Sequence, residues 1–539
     1  MQAKEVVKKM RRSAPREKTG CAICKIRRVK CGEERPQCSR CVQAGWVCEG
    51  YTSSSSGQTR PYYHNDNTPK PVMQTLEISS YCIPFRIPGS QGDRKALHYF
   101  CIQASSDLSG YILSDFWNRF VLQRSHDEPT VRQALVALCA LHFEYVSREP
   151  DNGRSGAQNI SPHTLSLYIK AVSKLRRYLD SDQRPSRAVA LSCCAIFFSF
   201  ELLRGDHGPA LAHLRNGLAI LEIWRSEVSL SAGETTGSDS ELKRFEEVFS
   251  RLDLQATIYN DTRTPLLTMA SRDERSGKQD CVNTAAFASI DDAQTTLDKL
   301  LNWAFHFLTA NSKYKFMPLC EVPPAVVQER FELVTQFRRW SVALDGFSSC
   351  TMQQPSMSPT EHLVAARSVS EGSTLLKIHH RSAQMLLDSC LAQANFYPNE
   401  FDDGGKSVLE MSRPLIKKAV SLSAISAVAA RRSFSSELGV VAPLFLLAIK
   451  TSDPDIREEA ISLIAASGRR EGLYDSHGIV EIFKKLTEPQ QLSSCVDLED
   501  TQRTDTALRG VSLESANAGL IDTATGDLKG MAKMLNMNS

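Results

Sequence analysis

From about residue 93 onward, apolar positions recur at helical spacing in one segment after another, and strand-like alternation is nearly absent. Val131 to Val146 (VRQALVALCALHFEYV) is apolar on more than one face and predicts a central helix. Over His163 to Leu179 the stripe Leu167, Ala171, Val172, Leu175 and Leu179 predicts an amphipathic helix, with Ser161-Pro162 capping its start. Arg187 to Leu203 predicts a buried helix with Gly205 just past its end, and Pro209 to Trp224 another amphipathic one. Ser192, Ser199 and Glu201 interrupt the most apolar run, Ala188 to Leu203, which marks a core helix and not a membrane span. The fold predicted for residues 93–486 is a large all-α domain whose apolar stripes form its core.

Other stretches lack this period. Residues 50–75 (GYTSSSSGQTRPYYHNDNTPKPVMQT) are rich in Ser, Pro, Asn and Thr and predict a linker, taken here as residues 51–92. No run of three heptads follows the N-terminal cysteines, so dimerisation through a coiled coil is not expected. Residues 229–240 and 349–373 predict surface loops, and residues 487–539 a mostly disordered polar tail. Within that tail, residues 496–506 form an acidic patch, a solvated segment or a transactivating one, and residues 528–537 predict one short helix.

Charge changes the picture because it is unevenly placed. The net charge of the 539 residues is only +3, yet residues 1–50 carry 13 lysines and arginines against 5 acidic residues, leaving 51 against 56 for the rest. A basic head on a mildly acidic body points to a polyanion as partner of the head. Residues 1–20 are a basic arm containing Lys8, Lys9, Arg11, Arg12, Arg16 and Lys18. With no apolar core, they do not form a signal peptide; they suit nuclear import, phosphate contact or both.

The chemistry is concentrated in residues 21–48, CAICKIRRVKCGEERPQCSRCVQAGWVC. Cys21, Cys24 and Cys31 follow C-x2-C-x6-C, and after six residues Cys38, Cys41 and Cys48 repeat it. A structural zinc takes four tetrahedral ligands and favours thiolates. Six thiolates exceed one closed site and fall short of two independent ones. If two bridge, six sulfurs supply the eight positions that two zinc ions need, and Cys21 and Cys38, first in each half, are the natural bridges. Each C-x2-C then opens a short helix, and each later cysteine returns from a following strand. Two alternatives stay open on spacing alone: disulfides, which suit a secreted domain, and one zinc on Cys21, Cys24, Cys38 and Cys41 with Cys31 and Cys48 free.

This stretch resembles the fungal binuclear zinc cluster, the six-cysteine DNA-binding domain of fungal transcription factors. Lys25, Arg27, Arg28 and Lys30 between the second and third cysteines, and Pro36 before the fourth, match its pattern; Gly32 departs from it, where an acidic residue is usual. The resemblance implies a small zinc-organised N-terminal DNA-binding domain at residues 21–50, two short helices around a two-zinc cluster, with two Zn2+ per chain. It implies reading of a CGG triplet in the major groove of double-stranded DNA by the tip of the first helix. Arg27 and Arg28 would then contact bases and Lys25, Lys30, Arg35 and Arg40 phosphates. Trp46 is expected to pack the miniature core. Phrases at 114–125, 197–221, 251–267, 439–464 and 468–476 resemble the fungal-specific regulatory domain that often follows such a cluster. Together the likenesses imply a nuclear RNA polymerase II regulator of a fungus, controlling metabolic genes, with a homodimer partner or the transcription machinery as further partners. The alternative reading is a nuclear protein-interaction or corepressor-like factor whose cluster binds DNA only weakly.

An enzyme is not expected. There is no G-x-S-x-G, P-loop or H-E-x-x-H motif. Adjacent helical positions point about 100° apart, so His379 and His380 do not suit one shared metal. Asp253 and Asp261 are expected to be solvated or capping carboxylates, Cys193-Cys194 buried small hydrophobes, and RREG at 469–472 a salt-bridge corner between helices.

Overall fold

The computed structural model describes residues 21, 24, 29–34, 37–44, 48, 89–148, 160–181, 186–230, 236–260, 263–315, 317–351, 359–391, 398–425 and 432–487. The basic arm, residues 51–88 of the linker, Asp261 and the tail beyond 487, with its acidic patch and terminal helix, lie outside these residues. The chain divides into two compact units, Met1–Cys82 and Ile83–Ser539. In the first, the described helix is α1, Ser39–Gln43.

The second unit is built of helices. They run α2 Gln91–Tyr99, α3 Ser105–Ser109, α4 Val121–Asp127, α5 Pro129–Ser147, α6 Pro162–Leu179, α7 Arg187–Arg204, α8 His207–Leu230 and α9 Thr236–Tyr259. After the single turn α10, Arg272–Arg275, come α11 Ile290–Ala310, α12 Pro324–Thr351, α13 Pro359–Ser389 and α14 Pro398–Ile425. The last are α15 Val441–Lys450, α16 Pro454–Ser467 and α17 Ser476–Thr487.

Local chemistry explains several boundaries. At α2 a capping box starts the helix, with Asp93 N–H donating to Ser90 Oγ (3.1 Å) and Ser90 N–H to Asp93 Oδ2 (2.9 Å). This places the first helical residue at Gln91, inside the stretch assigned to the linker. Ser161 Oγ accepts from Thr164 N–H at 3.1 Å, and Pro162 is the first residue of α6. Gly205 ends α7 in the left-handed conformation, φ +84°. Every residue of α7 from Ala188 to Leu203 is buried, packed against α5 and α8. No described helix is long and apolar enough to cross a membrane.

Two predicted loops are in part helical. Leu230 closes α8 and Thr236–Ser240 open α9, so only residues 231–235 separate the two helices. The polar start of α9 is carried by propagation from the strong helix formers that follow it. Residues 359–373 belong to α13, not to a loop. Ser358-Pro359-Thr360-Glu361 is a helix-start signal, with Pro at the first turn and an acidic residue three after the Ser.

A three-stranded sheet was not predicted. β1 Ser433–Ser435 pairs in parallel with β2 Arg469–Glu471, and β2 pairs antiparallel with β3 Tyr474–Asp475. Strands of two or three residues are too short to show a period of two. The sheet joins four sequence-distant phrases. Arg470 on β2 donates to Leu202 O and Leu203 O at the end of α7 and pairs with Asp475 at 2.6 Å. Buried Glu471 accepts from Val441 N–H at 2.8 Å, holding the start of α15, and pairs with Arg469 at 3.2 Å. Gln255 of α9 donates to Ser436 O at 3.2 Å, and Tyr259 OH lies 3.0 Å from His207 Nδ1 at the start of α8. Gly472 is required here: its φ is +57°, and a Cβ would lie 2.1 Å from Gln255 Nε2. RREG thus does form ion pairs, but on a strand and not at a corner between helices.

Asp253 departs furthest from expectation. It is fully buried, accepts from Leu266 N–H (2.7 Å) and Leu267 N–H (2.9 Å), and pairs with Arg263. Arg263 also donates to Asp253 O (2.8 Å) and Thr257 Oγ1 (2.6 Å). The carboxylate folds the segment after α9 back onto that helix; it is neither solvated nor a cap.

Candidate metal centre and nucleic-acid interface

The cysteines of the N-terminal repeat come together. Cys21, Cys24, Cys38 and Cys41 are almost fully buried, Cys48 is buried and Cys31 half-buried. Their sulfurs form two overlapping quartets, Cys21, Cys24, Cys31, Cys38 and Cys21, Cys38, Cys41, Cys48, with all ligand atoms of each within 4.8 Å of one another. Cys21 and Cys38 belong to both. The Cys21–Cys38 and Cys24–Cys38 sulfurs are 3.7 Å apart, Cys24–Cys41 3.8 Å and Cys21–Cys41 3.9 Å. A tetrahedron with Zn–S bonds of about 2.3 Å has an edge of about 3.8 Å. The donor set and spacing therefore fit zinc.

The sequence repeat is also a hydrogen-bond repeat. Cys21 N–H points to Cys31 Sγ and Cys38 N–H to Cys48 Sγ, each at 3.4 Å and each spanning ten residues. Cys24 N–H and Glu33 N–H add contacts to Cys21 Sγ and Cys31 Sγ, both at 3.4 Å. Such donors favour the thiolate form that a metal requires. The Cys24 N–H pulls the Cys21 thiol down, but burial and the neighbouring thiols outweigh it and push Cys21 up to about 12. Burial, with Cys38 and Cys41 alongside, likewise raises Cys24 to about 12. So crowded a set of sulfurs resists carrying charge until a cation supplies the compensation.

Cys38 and Cys41 are placed by α1, and Cys38 is its N-cap. In the first half, Val29 N–H returns to Cys24 O at 3.1 Å. Residues 29–34, around Cys31, are irregular and not a strand. Their backbone groups turn to the sulfurs instead of a strand partner, as Glu33 N–H does, and Glu33 itself takes φ +64°. Sequence reasoning missed Glu34. Its carboxylate accepts from Ser39 N–H (3.0 Å) and Ser39 Oγ–H (2.8 Å), anchoring the start of α1, and the Ser39 N–H holds it below the usual glutamate range. An acidic residue just ahead of the second C-x2-C was the available signal.

Of the basic residues assigned to DNA, Lys30 and Arg40 are exposed. Lys25, Arg27, Arg28 and Arg35, together with Pro36 and Trp46, lie outside the described residues. The other candidates of the helical unit separate. His379 Nε2 donates to Gly439 O (2.8 Å) and His380 Nε2 to Phe337 O (2.9 Å), so each ring meets a different carbonyl. Cys193 and Cys194 are buried on α7, and burial raises both thiols, Cys194 to about 12.

An overlapping six-thiolate centre, with basic residues between its cysteines in the sequence, defines a zinc-organised DNA-binding head. Residues 19–58 match the fungal Zn(2)-Cys(6) binuclear cluster domain, and residues 95–482 the fungal specific transcription factor domain. The second match alone covers more than half of the chain: it belongs to the family of fungal zinc-cluster transcription regulators. The chain is similar to the aspercryptin biosynthesis cluster-specific transcription regulator atnN of Emericella nidulans, 24% identical over 62% of this chain and 54% of the relative. It is also similar to the transcription regulator lscL of Purpureocillium lilacinum, 30% identical over 38% of this chain and 49% of the relative. The zinc-cluster factor afumD of Aspergillus fumigatus is 27% identical over 24% of this chain and 34% of its own. The chain thus spans about half the length of the first two. No solved structure matches. The family and these relatives are transcription regulators, not enzymes.

Proposed function

We propose that this protein is a nuclear, sequence-specific regulator of RNA polymerase II transcription that reads a CGG triplet through the first half of its zinc cluster. Two Zn2+ are held by the six cysteines, with Cys21 and Cys38 bridging. The observation that carries this reading is the pair of sulfur quartets sharing those two residues. Arg27 and Arg28 contact guanines, while Lys25, Lys30, Arg35 and Arg40 grip phosphates and the basic arm adds salt-sensitive affinity. Residues 93–486 form the regulatory domain. The targets are biosynthetic genes, a proposal supported by the printed role of atnN.

The test is the double variant Arg27→Ala with Arg28→Ala in the full chain. Each bidentate arginine contributes about 1–3 kcal/mol of discrimination, so CGG preference in a duplex-binding assay falls by about 30-fold or more. Weak, salt-dependent binding remains. Unchanged promoter occupancy in cells would instead favour the corepressor-like reading, in which a partner chooses the site.

A further inference from the structure

Helix α6 exposes much of its apolar surface. Leu165, Ile169, Val172 and Leu179 share one face of it and are 41%, 55%, 37% and 43% exposed. Only Thr164 and Ala171 of its 18 residues are buried, and it packs chiefly on α5. Of the stripe read from the sequence as core, Val172 and Leu179 thus turn outward. Exposed apolar residues scattered singly are ordinary, but four in one stripe mark a contact surface.

The stripe runs beside uncompensated positive charge. The helix contains Lys170, Lys174, Arg176 and Arg177 and neither Asp nor Glu. Arg176 lies 3.8 Å from Asp180, but both are well exposed and the pair contributes little. Among the described residues, Lys170, Lys174 and Arg177 form no ion pair. Burial, with Arg132 and Arg177 nearby, holds Lys174 below the usual lysine range despite Asp93. The same stripe from a second copy would set cation against cation, so the fitting occupant is apolar and acidic.

Such a segment lies in this chain. Outside the described residues, Val496-Asp497-Leu498-Glu499-Asp500 places three carboxylates and two apolar side chains in five positions. Reach allows the contact. Tyr168 of α6 stacks on Phe200 of α7, with ring centroids 4.1 Å apart, and Arg470 of β2 holds the Leu202 and Leu203 carbonyls of that same turn. α17 starts directly after Asp475, the partner of Arg470, and is about 18 Å long. The chain from Thr487 to Leu498 can span up to about 36–40 Å, enough to return along α17 and cross to α6.

We propose that α6 docks residues 496–500 of the same chain, with Val496 and Leu498 on its apolar stripe and Asp497, Glu499 and Asp500 toward its cations. Tethering supplies an effective concentration of the order of millimolar, so a contact of modest intrinsic affinity is populated.

The test puts the photocrosslinking residue p-benzoylphenylalanine in place of Thr501 in the full chain, beside the acidic segment, and maps its adducts by mass spectrometry. Adducts within one chain, on peptides from residues 162–179, are expected to dominate at every protein concentration. Lys170→Glu with Arg177→Glu lowers their yield at least about 5-fold, and adding Asp497→Lys with Glu499→Lys restores it, which a damaged helix would not allow. Ile169→Asp with Val172→Asp lowers the yield as strongly while the helical circular dichroism is kept. Adducts spread over other helices, adducts between two chains that grow with concentration, a yield unmoved by either pair of α6 substitutions, or no recovery on the charge swap would overturn the proposal.

Discussion

Cys38→Ala lowers the zinc content of the purified chain from about two ions to less than one and reduces affinity for a CGG duplex by about 100-fold or more. Cys38 stands in both sulfur quartets, 3.7 Å from Cys21 and from Cys24, and its N–H donates to Cys48 Sγ. Its loss leaves each site one thiolate short. Cys48 belongs to a single quartet, so Cys48→Ala leaves one site complete and about one ion bound. Apparent zinc binding energies in small zinc domains reach about 10–16 kcal/mol and are folding energies, so the head without metal loses its fold. The helical body, a compact unit with its own buried core, is expected to keep its unfolding midpoint. Metal content by mass spectrometry of the native chain checks the order. Two ions retained in Cys38→Ala, or equal losses in the two variants, would contradict the shared-ligand arrangement.

Asp253→Ala destabilises the helical unit by about 3–5 kcal/mol, the cost of breaking one partner out of a buried ion pair. Arg263 is left with its charge uncompensated, and the Leu266 and Leu267 N–H groups lose their acceptor. Each orphaned donor accounts for about 1–3 kcal/mol of desolvation before relaxation. Asp253→Asn, which keeps an acceptor of the same shape, loses less. Denaturant unfolding followed by circular dichroism measures both. A loss within about 0.5 kcal/mol, the range of ordinary surface substitutions, would mean that the carboxylate is solvated.

The comparison of Asp253 with Cys38 shows what a sequence exposes. The cysteine repeat states its chemistry in spacing alone, since a metal site needs fixed residue types at short intervals; even its pseudo-symmetry reappears as paired N–H to sulfur contacts. Helix ends were legible wherever a local signal sufficed, as at Ser161-Pro162 and Gly205. Asp253 and Glu471 were not, because their roles depend on groups brought near by folding: Leu266 and Leu267 N–H after a turn of the chain, Val441 N–H from another element. The short strands escaped for a related reason. Three residues carry no period, and β1 exists because β2 pairs with it and because Leu108 of α3 and Gln255 of α9 bond to Ser436 just beyond it. At Pro359 the signal was present and the composition of the preceding residues masked it.

A cluster that chooses the DNA sequence only when it holds zinc is tested by titrating the full chain against a duplex carrying CGG and one with the triplet scrambled, with and without a zinc chelator. Binding is expected to be tight, to prefer CGG and to collapse on chelation. Equal, strongly salt-dependent binding to both duplexes would contradict it, leaving a basic head that grips phosphates without reading bases.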